Sequence, residues 1–432
     1  MSAVLPAVTL SAQATMLSGG SPAEHGVVGN GWMDPKTRDV GFWKQANQLV
    51  DGKKLYERAR ELDPAFTCAK LFWWFNMGAA VDWSITPRPF YAADGRKDLS
   101  VYSSPPAFRE ELEQPLGAFP FFDFWGPRAG LASSRWITDA ALLSMENHRP
   151  TLTMVYLPHL DYDYQRFGPD APQSKQALED VDALAGELVA AADKLGAETV
   201  VVSEYGIEPV SRAVHINRCL REAGLLEVRP GPFGEYLDPF ASQAFAVSDH
   251  QVAHVYVQDP GALGRVRSSF ESLAGIEAVL GGEERTRAGL DHPNSGDLIA
   301  VAEADAWFTY YYWLDDSRAP DFARTVDIHR KPGYDPAELF IDPKLAFPKL
   351  RVASRLARKA IGMRYMMDVI PIEADLVRGS HGRLPDSPER GPVFLSSAGF
   401  EACGGAPESG VVEMKSVADR VLALLLREDP AD

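Results

Sequence analysis

Two runs decide the fold: Thr151-Leu152-Thr153-Met154-Val155-Tyr156-Leu157 and Glu198-Thr199-Val200-Val201-Val202-Ser203. Each is a short, nearly continuous apolar run, the pattern of a strand buried on both faces. Between them, Gln173 to Leu195 carries Leu178, Val181, Leu184, Leu188 and Leu195, spacings that keep one helical face apolar. Strand, polar loop, helix and strand make a βαβ unit. The reading predicts an α/β chain with a mostly parallel sheet covered by helices.

Strands of such a sheet deliver side chains to a crevice beyond their carboxyl ends. The first run leads into Tyr156-Leu157-Pro158-His159-Leu160-Asp161-Tyr162-Asp163-Tyr164-Gln165-Arg166-Phe167-Gly168-Pro169, and the second into Ser203-Glu204-Tyr205-Gly206. Both point to one edge, where Asp161, Asp163 and Glu204 are expected to meet. Like charges gathered in one cleft require a cation or a proton. A divalent metal with oxygen ligands, helped by histidine, meets that need. Solvated loop carboxylates would read the same locally.

The chain has 432 residues, with 43 Lys plus Arg against 60 Asp plus Glu, a formal charge of −17. That acidity disfavours a nucleic-acid polymer as partner, since such binding needs basic groups to displace counterions. Apolar residues at 46% and charged residues at 24% belong to a folded chain, not a disordered one. Cys68, Cys219 and Cys403 are scattered, without a CxxC pair or a disulfide framework, which fits a reducing compartment. No apolar run reaches the roughly 20 residues of a membrane span. The first basic residue is Lys36, so the start lacks the positive region of a secretory leader. The expected setting is cytoplasmic, with no membrane partner.

Along the chain, a helix is predicted near Ser11 to Leu17, broken by Gly19-Gly20-Ser21-Pro22. Residues 208–290 change character, with a helix over Ser211 to Ala223, strands at Ala244 to Val247 and Ala253 to Val257, and a helix over Val266 to Leu273. The division expected is a core (1–207), a small α+β, cap-like insertion (208–290) and the rest of the core (291–432). Asp297 to Ala302, Trp307 to Trp313 and Gly391 to Ser396 read as strands, and Ser416 to Leu426 as a closing helix. Segment 317–350, rich in Pro, Asp and Lys, reads as surface. The His250/His254 pair lies in strand-like surroundings, where an i, i+4 spacing does not bring ligands together; Asp249-His250 reads as a strand end.

Four pieces make a pattern: Pro6-Ala7-Val8-Thr9 followed by Gly19, Pro22, His25, Gly26 and Asn30; the run Tyr156 to Pro169; Ser203-Glu204-Tyr205-Gly206; and Gly379-Ser380-His381-Gly382 with Pro392-Val393-Phe394-Leu395. Together they resemble a bacterial member of the alkaline phosphatase superfamily, on its nucleotide pyrophosphatase/phosphodiesterase (type I phosphodiesterase) branch. The resemblance implies an alkaline-phosphatase-like three-layer sandwich with a mostly parallel central sheet, here lacking the first strand. It implies a threonine nucleophile assisted by divalent metals, usually zinc. Thr9 falls on that nucleophile and Asn30 on the asparagine that holds a phosphoryl oxygen. Asp161, Glu204 and His381 fall on metal ligands. Gln165 and Tyr205 stand where the family has histidines, and the family's first metal aspartate precedes Thr9 and has no counterpart. Asp163, His159, Asp327 and His329 are the candidates to complete a depleted site.

The implied function is metal-dependent hydrolysis of a small-molecule phosphoric ester, a phosphodiester or pyrophosphate, through Thr9. One or two divalent ions (zinc, manganese or magnesium) would serve as cofactor. The chemistry is coherent: a hydroxyl at a helix N-terminus sits among N–H groups that favour an anion, and a metal would activate it for attack. The alternative is a catalytically impaired relative that binds an anionic ligand or a protein partner. The missing strand carries its own expectation, that the natural start lies upstream or that a version extended by roughly 30 to 40 residues is more stable, because central strands are buried on both faces.

Overall fold

In the computed structural model, which describes residues 1–93 and 97–427, the regular structure opens with helix α1 (Thr9–Ser18). Every residue from Thr9 to Leu17 is buried, so this helix turns no face to solvent. Gly19 ends it in the left-handed conformation. Ser21 and Glu24 then cap the next turn reciprocally, with Pro22 at its first position.

A four-stranded sheet follows, built from β1 (Cys68–Leu71), β2 (Trp83–Pro87), β3 (Val101–Ser104) and, after helix α2 (Leu131–His148), β4 (Leu152–Val155). The order is β3-β2-β1-β4, with β1 parallel to both β2 and β4 and β3 antiparallel at the edge. Side chains alternate across it. Ala69 and Leu71 pack with Trp136, Ile137, Ala140 and Ala141 of α2 on one face. Cys68 and Met154 pack with Leu17 of α1, Leu55 and Tyr56 on the other. Helix, sheet and helix are thus the three layers, and the fold is the α/β sandwich expected.

Beyond β4 come α3 (His159–Phe167), α4 (Pro172–Leu195) and β5 (Val200–Val202). A second sheet contains β6 (Ala244–Asp249), β7 (Val252–Val257), β8 (Ile276–Gly281) and β9 (Leu298–Ala302) in the order β6-β7-β9-β8, antiparallel throughout. Its hydrogen bonding runs across residue 290. The chain ends with helix α5 (Pro348–Ala360), strand β10 (Phe394–Ser396) and helix α6 (Val417–Leu425). β10 pairs antiparallel with β5. The two strands of the βαβ unit are therefore not paired with each other: β4 lies against β1 and β5 against β10.

Two local expectations change. The helix predicted over Ser211 to Ala223 begins as a strand, Arg212–Val214, parallel to Ala306–Phe308, and only Ile216–Glu222 is helical. The strand predicted over Trp307 to Trp313 stops at Phe308, and Tyr310 to Trp313 turn into the main apolar core instead. Among the described residues no helix is long and apolar enough to cross a membrane.

Candidate active site

Extended backbone at Val8 places Thr9 as the first residue of α1, 4% exposed. The Leu10 N–H donates to Asn30 Oδ1 at 3.0 Å. Asn30 is fixed in turn by Asp249, its N–H donating to Oδ2 at 2.7 Å and its Nδ2 to Oδ1 at 3.1 Å. His25 braces the connecting loop, bonded to Thr15 Oγ1 at 3.0 Å through Nε2 and accepting from the Val27 N–H at 3.1 Å through Nδ1. Burial pushes its pKa down to about 3, so it is a neutral bracket.

Asp161, Gln165, Glu204 and Tyr205 converge on Thr9. The Thr9 and Tyr205 hydroxyls lie 3.1 Å apart, and Tyr205 Oη donates to Asp161 Oδ1 at 3.2 Å. Gln165 Nε2 donates to Asp161 Oδ2 at 2.6 Å, and its Oε1 accepts from Tyr334 Oη at 2.9 Å. Glu204 Oε1 accepts from Gln13 Nε2 at 2.5 Å. Loss of hydration pushes Glu204 up to about 8 and Asp161 up to about 6; hydrogen bonds from Gln13 to Glu204 and from Gln165 and Tyr205 to Asp161 offset part of this. Neutral donors thus meet both carboxylates directly.

His381 stacks on Tyr205 with ring centroids 3.5 Å apart, and its Nδ1 donates to the Ala7 carbonyl at 2.8 Å. Its Nε2 is buried and without a partner among the described residues, 3.6 Å from Asp161 Oδ1. The His250 ring centroid lies 3.8 Å from that of His381 and 3.7 Å from that of Tyr334, and its Nε2 is likewise without a partner among the described residues. Burial holds both histidines well below the usual range, hence neutral. His250 has a φ of 59° in the two-residue turn between β6 and β7, with Nδ1 on Asp249 Oδ1 at 2.7 Å.

Two motif glycines are steric. A Cβ on Gly206 would lie 1.9 Å from the Arg390 carbonyl oxygen, and one on Gly379 2.2 Å from that of Tyr164. They let the loops bearing Tyr205 and His381 approach neighbouring backbone.

The remaining candidates lie elsewhere. Asp163 pairs with Arg166 at 2.6 Å rather than joining Asp161 and Glu204. Asp327 is held by Lys97 at 3.1 Å and Arg330 at 2.9 Å. His329 meets Tyr91 edge-on. His159 is buried, with neither ring nitrogen bonded to the cluster. Gln13, Asp249, His250 and Tyr334 belong to the site without being singled out for it by sequence. Gln13 alone left a usable signal, lying one helical turn after Thr9.

A two-metal centre is a poor match to this donor set. Among the described residues, no group of three or more His, Cys, Asp or Glu is placed to hold an ion. An amide and a phenol stand where charged or imidazole ligands are needed, and both already bond the carboxylate they would share with a metal.

Fold and crevice define a member of the alkaline phosphatase superfamily. Over residues 1–335 the sequence matches the type I phosphodiesterase / nucleotide pyrophosphatase family. The chain belongs to that family. It is 24% identical over 212 residues to an uncharacterized pyrophosphatase/phosphodiesterase of Schizosaccharomyces pombe, a match covering 48% of this chain and 37% of that protein. The chain thus spans little more than a third of that curated relative. Its backbone resembles phosphonoacetate hydrolase from Sinorhizobium meliloti 1021 in complex with phosphonoformate, with TM-score 0.58 and 14% identity over 98% of this chain and 86% of that one. The phosphonoacetate complex of the same enzyme gives TM-score 0.51 and 17% identity over 74% of each chain.

Proposed function

We propose that this chain is a catalytically impaired family member whose crevice at Thr9 binds a small phosphonate- or phosphate-like anion without metal-dependent hydrolysis. One observation carries the reading: Asp161 and Glu204 are satisfied by Gln165, Tyr205 and Gln13, donors that take the place of metal ions. Support for an anion comes from Thr9 at the N-terminus of a buried ten-residue helix. The raised Glu204 reduces negative charge beside it. The solved neighbours hold phosphonoformate and phosphonoacetate in a related fold.

The test combines elemental analysis of the purified chain, turnover of bis(p-nitrophenyl) phosphate with added zinc, manganese or magnesium, and calorimetric titration with phosphonoformate. No stoichiometric metal and no turnover are expected. Phosphonoformate should bind, roughly tenfold more weakly to Thr9→Ala, the loss of about one hydrogen bond. Bound metal together with turnover abolished in Thr9→Ala would overturn this in favour of the hydrolase.

A further inference from the structure

Helix α5 is built inside out. At 100° per residue, Leu350, Ala353, Ala357, Ala360 and Ile361 form one apolar stripe, and all five are exposed. The helix rests on the body through Arg351, Val352 and Arg355, with both arginines bonded to Asp368. The exposure is large: Leu350 68%, Ile361 73%, and beside them Phe347 73% and Met363 50%. A helix serving only its own core would turn these residues the other way.

Its charge is equally out of place. From Pro343 to Met367 there are seven Lys or Arg and no Asp or Glu, in a chain of net charge −17. Lys349, Arg358, Lys359 and Arg364 make no ion pair among the described residues. On the helix, Lys349 flanks one side of the stripe and Arg358 the other. The segment also lies beyond residue 335, where the family match ends.

We propose that α5 and its flanks form a docking surface for an anionic lipid bilayer. An apolar stripe bordered by cations, on a helix of 13 residues, suits a helix lying in the headgroup plane. The stripe is shallow, with alanines at its centre and larger residues at its ends, so it enters an interface more readily than it plugs a pocket. Pairing the stripe with that of a second copy would oppose like charges. This revises the sequence expectation of no membrane partner: the helix lies on a bilayer rather than spanning it.

The test is co-sedimentation of the full chain with vesicles of phosphatidylcholine alone, or with about a third phosphatidylglycerol. At least tenfold more protein should pellet with the anionic vesicles, falling as salt is raised. Leu350→Glu with Ile361→Glu, and separately Lys349→Glu with Arg358→Glu, should each abolish binding while leaving the thermal midpoint unchanged, since all four sites are exposed. Equal binding to both vesicle types, or wild-type binding by either variant, would overturn the proposal. So would a failure to bind vesicles accompanied by a dimer that Leu350→Glu dissolves, which would assign the face to a second copy.

Discussion

Replacing Gln165 with leucine separates a hydrogen-bonded crevice from a metal site. Gln165 is 1% exposed and bridges Asp161 Oδ2 to Tyr334 Oη at 2.6 and 2.9 Å. Leucine fills a similar volume and offers neither bond. The change strands one carboxyl oxygen and one phenol, each costing about 1–3 kcal/mol, so together about 4 kcal/mol. At about 2.1 cal/mol/K per residue, the unfolding entropy of this chain converts that into a midpoint drop of roughly 4 °C. The assay is scanning calorimetry of both proteins with and without EDTA. The hydrogen-bonded crevice predicts the same drop in both buffers and a wild type indifferent to EDTA. Were Gln165 a metal ligand, EDTA would lower the wild type towards the variant. An unchanged midpoint in the variant, or an EDTA-sensitive wild type, refutes the reasoning.

Two further outcomes follow from buried charges. Lys331 Nζ lies 2.7 Å from both Asp335 Oδ2 and Glu338 Oε1, all three side chains being nearly inaccessible; Lys331→Met leaves the acids uncompensated and should cost about 3–5 kcal/mol by urea titration, whereas a change under about 1 kcal/mol would show that the acids are already neutral. Lys70 is buried with Nζ on the Phe75 carbonyl at 2.8 Å, and burial pushes it down to about 7 from 10.5. The unfolded chain then binds more protons between those values, so stability falls as pH drops through the window. Relative to Lys70→Met, the wild type should lose about 3 kcal/mol between about pH 9 and pH 6, and parallel pH profiles would refute the shift.

The regular elements nearest the crevice were legible because their signals are local. The run Thr151 to Leu157 contains β4, and the helix predicted from Gln173 is α4, starting one residue earlier at Pro172. Strand partners were not legible, since whether β5 lies against β4 or β10 is set by contacts about 200 residues away in sequence. The run Trp307 to Trp313 misled because an unbroken aromatic stretch satisfies strand and core alike, without alternation to decide. Thr9, Asn30, Asp161, Gln165, Glu204, Tyr205 and His381 could be picked out by motif spacing. Asp249, which fixes Asn30, lies 219 residues from it. No periodicity reports such a pairing. Segment 317–350, read as surface, is buried from Gly333 to Leu339, and α5 lies mostly beyond it, in residues to which the sequence reading gave no element and whose exposed apolar stripe shows only once the helix is docked.

The substitutions at the crevice are mutually consistent, and His381 shows how little separates this site from a metal centre. Its Nδ1 is committed to the Ala7 carbonyl, which orients the free Nε2 lone pair towards Asp161, 3.6 Å away. That is the way a metal-bound histidine is held by its outer partner. Asp161 accepts from Gln165 on its other oxygen. An imidazole at position 165 would therefore add a third donor beside a carboxylate and a preoriented histidine, the minimum for a zinc site with an open position. Gln165→His is expected to take up about one zinc per chain where the wild type takes up none, and to lose it when combined with His381→Ala. The readouts are elemental analysis and competition with a chromogenic chelator. If Gln165→His binds no zinc, or the wild type binds it equally well, then the identity of residue 165 does not decide whether this crevice holds a metal.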